Sequence, residues 1–189
     1  CRFLLSKPRQ FIYNSKHVCG RIFDYFEKIL NTNISIPTEL NYLQEKYLDT
    51  ASKLFKDDKK YIGFSITAGH PTREKEIPIK TIVEVANYCS DKNFVPTFFI
   101  EEKYKDIIKE IKANVKNAFF PELQVDKKNR TPYLVTKMGN ELDFALSING
   151  GIMHMLSFSN TNLLIFIDKR NFDKFRPLDE KKISLFELK

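Results

Sequence analysis

Apolar positions along the chain follow two periodicities, and the change falls at the charged run Asp57-Asp58-Lys59-Lys60. Before it the spacing is helical. Val18, Ile22, Phe26 and Ile29 predict an amphipathic helix over 17–30, and Leu40, Leu43, Tyr47, Ala51 and Leu54 predict a second one beyond Pro37. Residues 2–14 are broken by Ser6-Lys7-Pro8-Arg9 and fit either a strand or the tail of another domain. After the charged run, short apolar stretches alternate with helical ones. Strands are expected over 61–66, 94–100, 143–148 and 163–167, with a short one near 118–120. Between them lie a helix opened by Pro78, with Ile79, Ile82, Val83, Ala86 and Cys89 on one stripe, and one marked by Tyr104, Ile107, Ile108 and Ile111. Further helices are expected over 134–141 and 152–158, with a polar loop over 124–131. Such alternation predicts an α/β, Rossmann-like, mainly parallel sheet with helices on its faces, preceded by a helical segment. The expected division is 1–58 for that segment and 59–189 for the sheet domain.

Composition narrows the function classes only a little. A chain of 189 residues holds one ordinary domain with an appended segment. It opens on Cys1-Arg2-Phe3 without an initiator Met, which suggests a fragment, and carries neither a signal-peptide pattern nor an apolar run of membrane-span length. Cys1, Cys19 and Cys89 lack metal-ligand spacing and fit a reducing cytoplasm better than a disulfide framework. The formal charge of +7 is spread through lysines generally mixed with acids, as on solvated helix faces, and no basic stripe interleaved with aromatics appears, so nucleic acid is not an expected partner.

Candidate chemistry centres on 142–156, where the apolar run Phe144-Ala145-Leu146-Ser147-Ile148 enters Asn149-Gly150-Gly151 and a helical pattern that carries His154. Glycines allow close backbone approach, and amides at a helix start attract anions, so this strand, turn and helix make a candidate phosphate cradle. Ligands of open parallel sheets gather beyond the carboxyl ends of the strands, so the loops after the first two strands belong to the same edge. One offers Thr67, Gly69, His70, Thr72, Arg73 and Lys75 before Pro78; the other offers Glu101-Glu102.

The segment Leu142 to Met155 resembles the donor-binding signature of the heptosyltransferase-like glycosyltransferases of family nine, in which a strand runs into Asp-Ser/Thr-Gly-x-x-His. Gly151 and His154 match in register; Asn149 and Gly150 stand where the family has an acid and a hydroxyl residue. The loop 67–78 resembles the family's loop with small and hydroxyl residues and a Lys before Trp-Pro, with Lys75 and Pro78 in register and Ile77 in place of the Trp. His17-Val18-Cys19-Gly20-Arg21-Ile22 and Phe175-Arg176-Pro177 are similar to two further family segments. The resemblance implies the carboxyl-terminal, donor-binding half of a GT-B fold and inverting transfer from a nucleotide diphosphate sugar to a lipopolysaccharide or other glycan acceptor. It implies substrate contacts by Thr67, Gly69, Thr72, Lys75, Glu102, Asn149, Gly150, Gly151 and His154, with Lys75 on the diphosphate and either Glu101 or Glu102 on the nucleoside. No cofactor or metal is implied, and the catalytic base belongs to an amino-terminal domain not represented here. The expected partners are a nucleotide sugar and a free or lipid-linked glycan, with a cytoplasmic location and peripheral contact with the inner membrane face. A non-catalytic binding or assembly module on the same fold, and an epimerase of GT-B architecture, are the alternatives.

Overall fold

The computed structural model describes residues 16–35, 45–67, 77–168, 173–177 and 183–188. Two helices, α1 (Val18–Leu30) and α2 (Glu45–Leu54), precede the strand β1 (Lys60–Ser65). Then follow α3 (Ile79–Asp91), β2 (Phe94–Phe98), α4 (Lys105–Asn114) and two 3-10 turns, Pro121–Gln124 and Lys127–Asn129. The chain continues with α5 (Pro132–Gly139), β3 (Phe144–Ile148), α6 (Gly151–Ser157), β4 (Asn162–Asp168) and β5 (Ile183–Leu188). The strands form one parallel sheet in the order β2-β1-β3-β4-β5. Each central strand is apolar on both faces, so alternate residues feed two cores. Tyr61 and Ala145 join Ala51 and Phe55 beside α2, Leu134 and Met138 of α5, and Met153 and Leu156 of α6. Phe64 and Phe98 instead meet Ile82 and Ala86 of α3 and Ile108 and Ile111 of α4. The predicted Rossmann-like α/β architecture is thus the observed one.

The predicted strand near 118–120 is reduced to a single parallel bridge, Thr97↔Phe119, on the outer edge of β2. Two prolines explain its length. Phe119 donates to the Pro96 carbonyl at 2.8 Å and accepts from Phe98 at 2.7 Å. The next ladder bonds in either direction need an N–H from Pro96 or from Pro121, and neither has one. Counting this bridge, the order matches the 3-2-1-4-5-6 arrangement of dinucleotide-binding sheets. β5 was not among the predicted strands.

Register is fixed at the amino edge. The Tyr61 amide donates to Asp143 Oδ2 at 2.9 Å, and the Asp143 amide donates to the Tyr61 carbonyl at 3.0 Å. Gly63 lets β1 lie against the neighbouring layer, since a Cβ there would stand 2.7 Å from Leu142 Cδ1 and 3.1 Å from Ala145 Cβ. Helix α1 forms as its spacing predicts, but its stripe is open to solvent: Ile22, Phe26, Ile29 and Leu30 are 39–59% exposed.

Candidate functional site

With β1 and β3 as neighbours, successive strands leave the centre of the sheet in opposite directions, toward β2 on one side and β4 on the other. The strand order therefore reverses direction between β1 and β3, the point on the carboxyl edge where open parallel sheets take their ligands. Ser65 pairs with Ser147 in register, so the backbone leading to Thr67 and the Asn149-Gly150-Gly151 turn depart side by side. Thr67 is half-buried at the end of that strand. Gly69, Thr72 and Lys75, and with them His70, lie outside the described residues.

Ser65 and Ser147 are both almost wholly buried beneath this edge. Ser147 Oγ donates to the Ile148 carbonyl at 2.9 Å, whereas Ser65 Oγ has no hydrogen-bond partner among the described residues, which is uncommon for a buried hydroxyl. Sequence reasoning missed this pair, because two serines in apolar runs 82 positions apart carry no signal until the register joins them.

The turn itself is extended rather than left-handed. Gly150, at φ −166° and ψ 179°, adopts a backbone open to any residue, and caps α6 without a side-chain bond. A Cβ on Gly151 would meet nothing within 4 Å among the described residues, so neither its backbone nor their packing requires glycine there. Asn149 and Gly150 are half-buried.

His154 lies on α6, one turn beyond the glycines, and is partly buried. Its pKa falls below the ordinary imidazole value, first because burial disfavours the cation and then because His17 is near enough for its charge to act. His17 joins distant parts of the chain. Its Nδ1 accepts from the Cys19 amide at 3.1 Å, capping α1, and its Nε2 donates to the Arg176 carbonyl at 2.6 Å. In the neutral ring these two bonds place the proton on Nε2 rather than Nδ1. Lys16 and Asp173, 3.6 Å apart, reinforce the same junction. The two short family-like segments, 17–22 and 175–177, thus touch one another, and His17 lies close to His154.

Glu102 has a different setting. It follows β2 and pairs with Arg130, whose Nη1 stands 3.1 Å from Glu102 Oε2 and whose Nε donates to the Val125 carbonyl at 2.9 Å. Nearby Glu122 is largely buried, and its carboxyl is pushed up to about 7, chiefly by loss of solvent; Arg130 opposes the shift and Glu101 adds to it. Glu102 therefore stands beyond β1 from the β3 turn, one strand further out. Among the described residues no group of three or more His, Cys, Asp or Glu could hold a metal ion, and no helix is long and apolar enough to cross a membrane.

Comparison with solved structures identifies the fold. The crystal structure of the glycosyl transferase family 9 protein from Veillonella parvula DSM 2008 matches with a TM-score of 0.75 at 14% identity, over 94% of this chain and 51% of that one. The ADP-heptose LPS heptosyltransferase II of E. coli matches with a TM-score of 0.68 at 17% identity, over 90% and 53%. E. coli heptosyltransferase WaaC with ADP matches with a TM-score of 0.67 at 12% identity, over 95% and 53%. The chain spans about half the length of these proteins. No protein-family model and no curated protein matches the sequence. The likeness is one of fold, and it is the fold that the family-nine resemblance implies.

Proposed function

We propose that this chain is the donor-binding half of a heptosyltransferase-like glycosyltransferase and holds a nucleotide diphosphate sugar at the carboxyl edge between β1 and β3. The carrying observation is the switch point itself: the Ser65↔Ser147 register brings the connection after β1 and the Asn149-Gly150-Gly151 turn to one crevice. A matched neighbour of the same fold was solved with ADP, and another match with ADP-2-deoxy-2-fluoro heptose has a TM-score of 0.57. In this reading the amides of the turn and the ammonium of Lys75 neutralise the diphosphate, and Thr67, Gly69 and Thr72 line the opposite loop. Neutral His154 supplies a hydrogen bond without adding charge. As the glycosidic oxygen departs, the same donors hold the growing charge on the leaving diphosphate, which lowers the barrier more than it tightens ground-state binding. The acceptor is a lipopolysaccharide-type or other glycan, reached from the cytoplasmic side and at the inner membrane face. The base that activates its hydroxyl is not assigned to any residue of this chain.

Titration calorimetry with ADP, UDP, GDP and their sugar conjugates tests the proposal. Binding of at least one, weakened by Lys75→Ala and by Gly151→Val, is the expected result; no binding across the panel would overturn it. Asn149 and Gly150, at positions where the family has an acid and a hydroxyl, favour a second reading, a non-catalytic nucleotide-binding module. Donor binding by the full protein without sugar transfer to any of several acceptors would select it.

A further inference from the structure

On the opposite face of the sheet from His154, α4 and the turns after Phe120 border an open groove of about 460 Å³. Its lining combines two aliphatic side chains, Ile108 and Leu123, with four cations, Lys105, Lys109, Lys112 and Arg130. Glu102 is the one carboxylate in the lining, and it is already paired with Arg130. The lysines are not scattered. At about 100° per residue, Lys105, Lys109 and Lys112 fall within about 60° of one another around α4, with Asp106 about 60° beyond Lys109 and Glu110 about 100° beyond it. Like charges at such spacings repel and disfavour the helix that carries them. Lys105 and Lys109 have no ion pair or hydrogen bond among the described residues, and Lys112 lies 5.4 Å from the Phe120 ring centroid. A concave, partly apolar surface with several converging cations is the form a small-molecule anion site takes.

We propose that this groove binds a small ligand bearing two or more phosphates, at a site separate from the β1–β3 crevice. From Lys105 to Lys112 the strip is about 10 Å long at 1.5 Å per residue, more than a single phosphate can span and suited to charges spread along a chain or across a bisphosphorylated sugar. Arg130, held by Glu102 and the Val125 carbonyl, borders the strip and adds to its positive field. Leu123 and the edge of Ile108 offer apolar contact to the carbon skeleton of such a ligand.

Calorimetry with sodium tripolyphosphate, and with inorganic phosphate for comparison, tests this on the intact chain. Tripolyphosphate is expected to bind at least about tenfold more tightly than phosphate. Lys105→Ser with Lys109→Ser, both exposed, is expected to weaken tripolyphosphate at least about tenfold. The charge-matched pair Lys53→Ser and Lys80→Ser is expected to change it less than about twofold. Gly151→Val removes any share bound at the crevice and is expected to leave the part that depends on Lys105 and Lys109 in place. Equal losses in the two double variants would overturn the proposal in favour of the general field of a +7 chain. Loss in Gly151→Val alone would overturn it by placing the anion in the crevice. Groove-dependent binding to phosphatidylglycerol vesicles without binding of tripolyphosphate would also overturn it, pointing to a lipid headgroup as the source of the phosphates.

Discussion

Gly151→Ala separates the demands of the fold from those of a ligand. The position opens α6, its φ is not in the left-handed region, and a Cβ would meet no atom of the described residues within 4 Å. Alanine is the better helix former by about 1 kcal/mol in a helix interior and by about half that at an end, and it also restricts the unfolded chain. The variant should therefore be more stable by about 0.5–1 kcal/mol, raising Tm by about 1–4 °C for a chain of this length. The methyl group enters the space where a diphosphate would approach the turn. Losing that approach should weaken nucleoside diphosphate binding by about tenfold, or about 1.4 kcal/mol. Urea unfolding with calorimetry on the same sample reads both quantities. Gly63→Ala is the control of opposite sign: its Cβ is forced to 2.7 Å from Leu142 Cδ1, which should cost about 1–3 kcal/mol and leave the affinity of folded molecules unaltered. Raised stability with undiminished affinity in Gly151→Ala would refute the cradle. Lowered stability would show that glycine serves the fold.

Three further outcomes follow from the geometry. Because burial lifts the Glu122 carboxyl from 4.5 to about 7, the unfolded chain loses its proton first as pH rises, so this group's contribution is fully present below about pH 4.5 and is lost by about pH 7. Unfolding free energy should fall across that window by up to about 3 kcal/mol relative to Glu122→Gln, which urea titrations at several pH values would detect. His17→Ala removes the cap of α1 and the tie to Arg176, for a loss of about 1 kcal/mol, and takes away the nearby charge that lowers His154. An NMR titration should then find the His154 pKa raised, yet still below the ordinary value because burial persists. Asp143→Ala leaves the Tyr61 amide without its side-chain acceptor and should cost about 1 kcal/mol by chemical denaturation.

Most of the sheet was legible because its strands are short apolar runs separated by helical stripes. The run at 144–148 and the stripe Ile82/Ala86 are buried as their spacing demands. The strand Ile183–Leu188 was not legible: it follows Lys181-Lys182, and its apolar residues are interrupted by Ser184 and Glu187, so it resembles a polar tail until β4 supplies a partner. The Gly-Gly turn and His154 could be read from neighbouring residues. The bond from His17 to Arg176 joins residues 159 positions apart, and no local pattern announces it. The lysines of α4 were readable only as a solvated face mixed with acids; helical projection is what segregates them from Asp106 and Glu110.

The departures at Asn149 and Gly150 bear differently on binding and on turnover. A carboxylate at the position of Asn149 would stand near the expected diphosphate and oppose it, by about 1 kcal/mol at 4 Å in water and more where solvent is excluded. An acid placed there by a related enzyme therefore contributes something other than attraction for the donor's charge. Replacing it with Asn removes the repulsion and retains hydrogen-bonding capacity, while the anion-holding amides of the turn belong to the backbone and survive any side-chain change. On the proposed reading, donor binding is the property the substitutions spare and transfer is the one they put at stake. Binding without turnover would then be a statement about Asn149 and Gly150, and would leave the crevice between β1 and β3 as the place where the nucleotide is held.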